Sequence, residues 1–129
     1  MTRDLARRLK SAGFVPRSFE SGRKLYPHEA SAGWSEPSRQ HGITITHHTL
    51  QNRLQDIKDG YYCPSLAELI EACGAHFGRL DLEQAIWTAQ SKDREKLVRA
   101  HSPEEAVAKL WFALHRSAPM GDADRVDGR

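Results

Sequence analysis

The sequence predicts an α+β fold in a single domain, with about four helices and a small antiparallel sheet. Apolar residues recur at helical spacing in several separate segments, and short stretches between turn residues alternate apolar with polar or β-branched side chains. At 129 residues the chain is long enough to bury a core without disulfide or metal staples. We therefore expect one domain over residues 1–117. Residues 118–129 are mainly Gly, Asp, Arg and Pro, which predicts a disordered tail.

The first helix is predicted over residues 2–12, where Leu5 and Leu9 share one face. Gly13 is expected to end this helix, because glycine readily adopts the left-handed conformation of a helix stop. Phe14 then folds back onto Leu9 in the hydrophobic contact of a Schellman motif.

The segment from residue 15 to residue 40 has no regular periodicity and is punctuated by three prolines and two glycines. Within it, only residues 23–26 are expected to form a short strand. Trp34 is expected to lie over the core, because a loop this long needs an aromatic anchor to stay ordered. Residues 42–46 alternate Ile and Thr, which favours a second short strand.

Thr46 is predicted to cap a helix over residues 47–58, in which three apolar residues recur at helical spacing and which Gly60 ends. The next helix, over residues 64–78, is the best specified and the expected centre of the fold. In it, Ser65 and Glu68 have the spacing of a capping box.

One face of the helix over residues 64–78 carries five apolar residues, of which Phe77 is the last. Gly78 is predicted to supply its left-handed stop. Residues 79–85 fit either a helical turn or a loop. Residues 86–90 are predicted to form a strand, and residues 96–99 are its expected hairpin partner.

The final helix begins after Ser102, which is a favoured N-cap residue, with Pro103 in the first turn and Glu105 completing a capping box. Its predicted core stripe consists of Val107, Leu110, Trp111 and Leu114.

The net charge of +2 does not by itself indicate a nucleic-acid or membrane partner, although the first thirty residues are locally basic. The sequence contains no apolar run of membrane-spanning length and no signal region. We therefore expect a soluble, cytoplasmic protein in which Cys63 and Cys73 are reduced.

Three motifs occur in a familiar order: LARRLKSAGF, then PSLAELIEACGAHF with IWTAQ, then SPEEAVAKLWFAL. Together they resemble a family of small phage and prophage proteins of uncharacterised function. The resemblance covers residues 4–14 and 63–114, whereas residues 15–62 depart from the family pattern. It implies an accessory gene product of a phage and brings no catalytic residues with it.

Two chemical classes find little support in the sequence. Cys63, Cys73 and His76, with His47 or His48, supply enough zinc ligands, but their spacing matches no known zinc motif, so we expect no metal. The sequence also contains no nucleophile elbow, Walker loop, zincin motif or dinucleotide-binding turn. We expect neither a cofactor nor enzymatic activity.

A nucleic-acid-binding regulator is the alternative prediction. Residues 46–74 loosely resemble the helix-turn-helix of phage repressors, but the upstream segment GITIT is not the supporting helix that such a module needs. The candidate phosphate contacts are the basic residues Arg3, Arg7, Arg8, Lys10, Arg53 and Lys58.

The favoured prediction is a non-enzymatic accessory protein that binds and modulates or inhibits a bacterial host protein, such as a component of a defence system. Phe112 lies about 140° from Val107 around the last helix, hence off its core stripe. Either a second layer covers Phe112 or it marks a partner-binding surface, which Trp34, Tyr61 and Tyr62 could extend. Closure of the core remains the alternative for each of these aromatic residues.

Overall fold

The computed structural model describes residues 1–116, which group into unit 1, Met1–Ser65, and unit 2, which begins at Leu66. The predicted α+β class is confirmed. Residues 1–116 contain six α-helices and two three-stranded antiparallel sheets, so four helices and one sheet were too few. The single domain over residues 1–117 remains a prediction, and the predicted tail over residues 118–129 lies outside the described residues.

Unit 1 contains four short helices and a sheet in which the middle strand in space comes first in sequence. Its elements are α1 (Arg3–Ser11), β1 (Lys24–Tyr26), α2 (Glu36–His41), β2 (Ile43–Thr44), α3 (His47–Asn52), α4 (Leu54–Asp59) and β3 (Tyr61–Tyr62). β1 pairs antiparallel with both β2 and β3, which confirms the strands expected near residues 23–26 and 42–46. The core around this sheet consists of Leu25, Ile45, Ile57 and Tyr62, with a second cluster of Ala6, Tyr26, Tyr61 and Cys63.

The end of α1 has the predicted Schellman geometry. The Phe14 amide donates to the Leu9 carbonyl at 3.0 Å, and the Gly13 amide donates to the Lys10 carbonyl at 3.0 Å. Gly13 has a φ of 97°, in the left-handed region that glycine adopts without strain. The chain therefore reverses immediately after α1.

Helix α2 was not predicted. Ser35 caps it by accepting a hydrogen bond from the Ser38 amide at 3.3 Å, and Pro37 lies in its first turn. None of its residues is buried. Since periodicity detects only helices with an apolar face, an exposed helix of six residues gives no such signal.

The helix predicted over residues 47–58 is two helices, α3 and α4, which is a correction. The break is at Arg53, whose φ of −133° and ψ of 35° are not helical. The start is as expected, because Thr46 and Thr49 form a reciprocal capping box. Gly60 follows the end of α4 as predicted.

Unit 2 has the order helix, three strands, helix. Its elements are α5 (Leu66–Cys73), a 3₁₀ turn (Gly74–His76), β4 (Phe77–Glu83), β5 (Ile86–Ser91), β6 (Leu97–Ala100) and α6 (Pro103–Arg116). The strands form a meander in the order β4-β5-β6, which confirms the predicted hairpin of β5 and β6. Helix α6 packs against β5, β6 and α5.

The predicted helix over residues 64–78 is shorter than expected, because α5 ends at Cys73. Gly74, with a φ of 62°, takes the left-handed conformation that we assigned to Gly78. Phe77 and Gly78 instead begin β4, which also contains most of the ambiguous segment over residues 79–85. A glycine four residues earlier therefore ended the helix before its apolar stripe was complete.

The register of the strands defines two faces of the unit 2 sheet. Ala89 and Ala100 are buried, and strand alternation places their pairing partners on the same face. This inner face carries Leu80, Leu82, Trp87, Ala89, Val98 and Ala100, and the outer face carries Arg79, Asp81, Glu83, Thr88, Gln90 and Arg99.

The start of α6 is as predicted, since the Glu105 amide donates to the Ser102 hydroxyl at 3.1 Å. Val107, Leu110 and Trp111 are buried as expected, whereas Leu114 is only half-buried. No helix within residues 1–116 is long and apolar enough to cross a membrane.

Asparagine substitution distinguishes Gly74, the first residue of the 3₁₀ turn, from Gly78 in β4. A Cβ at Gly78 would lie 2.6 Å from the Ser91 carbonyl oxygen and 2.7 Å from that of Gln90, whereas one at Gly74 would meet nothing within 4 Å. Because asparagine tolerates positive φ, we expect Gly74→Asn to cost under about 1 kcal/mol and Gly78→Asn about 1–3 kcal/mol. Urea unfolding measures both. Equal costs would contradict the assignment of Gly78 to β4.

Candidate functional site

The loop between β1 and α2 is held in place by the guanidinium group of Arg39. This group donates to the carbonyl oxygens of Glu29 and Ser31, each at 2.6 Å, and to that of Trp34 at 3.4 Å. Three loop carbonyls thus obtain their hydrogen bonds from one side chain, which fixes the loop without regular secondary structure.

Arg53, which lies between α3 and α4, also holds this loop. It donates to the Ala32 carbonyl at 2.6 Å and to the Asp56 carboxylate at 2.7 Å, and its guanidinium lies 3.8 Å from the centre of the Trp34 ring. Trp34 is half-buried under this contact, and its indole N–H donates to the Ser31 hydroxyl at 3.1 Å. Arg53 and Trp34, predicted to bind different partners, therefore bind each other.

Asp56 joins α4 to this loop. Its carboxylate accepts from the Ser31 hydroxyl at 2.8 Å as well as from Arg53. Both hydrogen bonds stabilise the ionised form, so they lower the pKa of the Asp56 carboxyl, the Ser31 bond contributing most.

The Lys10 ammonium caps the end of α4. It donates to the carbonyls of Lys58, Asp59 and Gly60 at 2.9, 2.7 and 3.0 Å. These are carbonyls of a helix end, where a cation is favoured by the helix dipole. Burial lowers the pKa of Lys10, and the Asp59 charge partly offsets this effect.

Tyr61 is buried and contacts the acidic side chain of Glu29 and the basic side chain of Arg3. Its hydroxyl donates to the Glu29 carboxylate at 3.0 Å, and Glu29 also forms an ion pair with Arg3, whose guanidinium lies 5.6 Å from the Tyr61 ring centre. Burial, followed by the bond to Glu29, raises the pKa of Tyr61. The pKa of Glu29 is lowered, chiefly by a hydrogen bond to its own backbone N–H and then by Tyr61 and Arg3.

The other two aromatic residues predicted to bind a partner lie in separate surroundings. Tyr62, in unit 1, is buried, and the Phe19 ring meets it edge-on at a centroid distance of 5.3 Å. Phe112, in unit 2, is half-buried and lies 5.5 Å from the ring centre of its neighbour Trp111. The role of these residues in partner binding remains a prediction.

The other three basic residues predicted to bind phosphate are Arg7 and Arg8, which are exposed on α1, and Lys58 on α4. Arg7 pairs with Asp4 at 3.7 Å, a separation typical of weak surface ion pairs. Arg8 and Lys58 are exposed. Of the six basic residues predicted to bind phosphate, Arg3, Lys10 and Arg53 are thus held in contacts with groups of unit 1.

An apolar groove of about 280 Å³ lies beside α1 in unit 1. Its lining residues come from α1, from the segment that follows it, and from the end of α4: Ala6, Leu9, Lys10, Phe14, Val15, Pro16, Phe19, Lys58, Gly60 and Tyr62. Val15 is 82% exposed, compared with 56% for Leu82 and 45% for Leu97. We refer to this surface as the Val15 groove.

Sequence reasoning missed the Val15 groove. The signal was the cluster of apolar residues directly after Gly13, where Phe14, Val15 and Pro16 precede Phe19 in a segment without periodicity. Apolar residues in an irregular segment either close a core or form a binding surface. Only the exposure of Val15 in the structure distinguishes these two possibilities.

Neither cysteine has the surroundings of a reactive thiol. Cys63 and Cys73 are free and buried, and burial raises the pKa of both thiols, that of Cys73 to about 11. Among residues 1–116, no three His, Cys, Asp or Glu side chains are grouped so that they could hold a metal ion.

Comparison with protein-family models, with curated proteins and with solved structures finds no match to this chain.

Replacing Arg53 by lysine tests its role in holding the loop. Lysine keeps the charge but lacks the planar fork that reaches the Ala32 carbonyl and Asp56 while covering Trp34. We expect Arg53→Lys to lower the free energy of unfolding by about 1–3 kcal/mol. Arg7→Lys, at an exposed ion pair, is the matched control and should change urea unfolding by less than about 0.5 kcal/mol. Similar values for the two variants would contradict the structural role.

The lowered pKa of Asp56 predicts how acid weakens the fold. Its contribution to stability is complete above the unfolded value of 3.8 and is lost as the pH falls through the lower folded pKa. In Asp56→Asn this contribution is missing, so the free energy of unfolding should fall less steeply with pH below 3.8 than in the parent. Ser31→Ala should give an intermediate slope, because it removes the largest cause of the shift. Urea unfolding over a pH series measures all three, and parallel curves would refute the assignment.

Proposed function

We propose that this chain is a non-enzymatic accessory protein of phage type that binds and modulates a bacterial host protein, and that the Val15 groove receives an apolar segment of that partner. The observation that carries the proposal is the groove itself, in which the exposed Val15 and several half-buried apolar residues line the same surface as Lys10 and Lys58.

The apolar part of the groove supplies binding energy. Full burial of a valine side chain contributes about 1.5–3 kcal/mol, and Val15 starts 82% exposed. Its neighbours are held before any partner arrives: the Phe14 amide is bonded to the Leu9 carbonyl, and Phe19 packs on Tyr62. Less side-chain and loop freedom is then lost on binding, which favours affinity.

The lysines at the rim favour a partner segment that carries negative charge. Lys10 and Lys58 both line the groove. The Lys10 ammonium is already bonded to three carbonyls, so Lys58 is the lysine that we expect to pair with an incoming carboxylate. A segment with a large apolar residue beside Asp, Glu or a chain terminus fits this combination.

The geometry favours a protein partner over the alternative nucleic-acid partner. Phosphate binding needs several cations that are free to approach the backbone of DNA or RNA. Arg3, Lys10 and Arg53 instead donate to acceptors within unit 1. The groove is also lined mainly by apolar side chains, which make no favourable contact with a phosphate group.

The host and its defence systems enter the proposal through the resemblance of the three sequence motifs to phage and prophage proteins. An accessory protein with an apolar groove of this kind could inhibit its partner by covering the segment that the partner uses for its own contacts. Phe112 in unit 2 is a separate candidate surface, and Phe112→Ala reports on it independently.

A photo-crosslinking amino acid at position 15 tests the proposal. Expressed in bacteria, the protein with this substitution should crosslink to a distinct host protein, and mass spectrometry should locate the crosslink next to an acidic residue or a chain terminus. The same crosslinker at Leu54, which is 41% exposed on α4 and does not line the groove, is the matched control.

Binding measurements with the captured protein complete the test. Val15→Asp should weaken binding by about 2 kcal/mol or more without loss of stability, because Val15 is an exposed residue. Lys58→Glu should slow association, most strongly at low salt. Equal crosslinking from positions 15 and 54, or capture of nucleic acid in place of protein, would contradict the proposal.

A further inference from the structure

Strand β4 has an open edge that nothing within residues 1–116 pairs with, since the sheet order is β4-β5-β6 and β4 bonds only to β5. Helix α6 packs across β5 and β6, which leaves the inner face of β4 less covered. On that face Leu82 is 56% exposed and Leu80 is half-buried. A long edge strand with exposed apolar residues is a template for pairing with another strand.

The turn after β4 determines which backbone groups face the open edge. Gln84 and Ala85 have φ values of 52° and 67°, as in the two-residue turn of type I′ that joins tightly paired strands. In such a hairpin the flanking residues, Glu83 and Ile86, form a hydrogen-bonded pair. Alternation along the strand then directs the amides and carbonyls of Leu80 and Leu82 away from β5, toward the open edge.

Charge on the outer face distinguishes the registers in which two copies of β4 could pair antiparallel. If Leu80 faces Leu82 of the other copy, two Arg79–Glu83 pairs form, but the two Asp81 side chains oppose each other at the axis. If Leu82 faces Leu82, Asp81 opposes Glu83 on both sides of the axis. Like charges directly opposite destabilise a strand pair, so each of these registers carries a repulsion that the third register lacks.

The remaining register places Leu80 opposite Leu80 of the other copy. Arg79 of each copy then faces Asp81 of the other, so two opposite-charge pairs form across a twofold axis. Arg79 and Asp81 already lie side by side within one chain, with a 2.8 Å ion pair, and their side chains are 69% and 53% exposed.

We propose that the chain self-associates through β4, which pairs antiparallel with β4 of a second copy in the register that sets Leu80 opposite Leu80. The two sheets become one six-stranded sheet. On its inner face, Leu80 and Leu82 of both copies form a continuous apolar cluster, and on its outer face Arg79 and Asp81 form a square of alternating charge. This inference is independent of the Val15 groove, which lies in unit 1.

Charge reversal tests both the interface and its register. Arg79→Asp alone and Asp81→Arg alone each place like charges opposite one another in the self-pair, so the dissociation constant of each should rise about tenfold or more relative to the parent. An equimolar mixture of the two variants should form a heterodimer, because every opposed pair across the axis is then of opposite charge. Sedimentation velocity over a concentration series measures all four samples.

Exposed leucines supply a second comparison. Leu82→Lys should abolish dimerisation, whereas Leu97→Lys, on the other edge strand and 45% exposed, should leave it unchanged. Circular dichroism confirms that each variant is folded. If Leu82→Lys misfolds, Leu82→Ser takes its place. A monomeric parent at every concentration, dimers that persist in Arg79→Asp or Leu82→Lys, or no recovery in the mixture would each overturn the proposal.

Discussion

Unit 1 depends on the pairing of backbone carbonyls with basic side chains. Its strands are two or three residues long, so most of its carbonyl groups receive no hydrogen bond from a sheet. Arg39 and Arg53 supply donors to the loop between β1 and α2, Lys10 supplies them to the end of α4, and Arg23 donates to the carbonyls of Cys63 and Pro64. An intramolecular hydrogen bond contributes about 0.5–1.5 kcal/mol net, so each of these side chains stabilises an irregular segment.

This use of charge changes the meaning of the basic N-terminal quarter. Read as a sequence, the excess of Arg and Lys indicates attraction to an external anion. In the structure four of these basic residues meet carbonyls or carboxylates of the same unit, namely Arg3, Arg7, Lys10 and Arg23. Unit 2 is built differently, because a tight hairpin, a three-stranded sheet and a capped helix satisfy the backbone regularly.

Local signals were sufficient for most elements of the fold. The Schellman motif at Gly13, the cap at Ser102 and the pairing of β5 with β6 each depend on residues close in sequence. Two errors arose where one position decides between two structures that fit the same pattern. Gly74 ended a helix that the apolar stripe would have continued, and the backbone leaves the helical conformation at Arg53, whose side chain bonds to a loop 21 residues away.

The Val15 groove could not be predicted from the sequence, because its walls come from α1, from the segment after it and from residues beyond position 57. Periodicity describes one element at a time, and a groove is a property of several. The four aromatic residues chosen from sequence illustrate the same limit. Trp34 and Tyr61 have polar partners in unit 1, a Ser31 hydroxyl and a Glu29 carboxylate, that no spacing rule would have indicated.

The raised pKa of both thiols has a practical consequence for handling and labelling the protein. With a pKa of about 11, roughly one Cys73 side chain in ten thousand is a thiolate at neutral pH, and only the thiolate reacts quickly with peroxides or maleimides. The two native cysteines should therefore react only slowly with alkylating reagents while the chain is folded. A cysteine placed on an exposed turn, such as position 84, would then carry a fluorophore or spin label alone, with no need to remove Cys63 or Cys73 first.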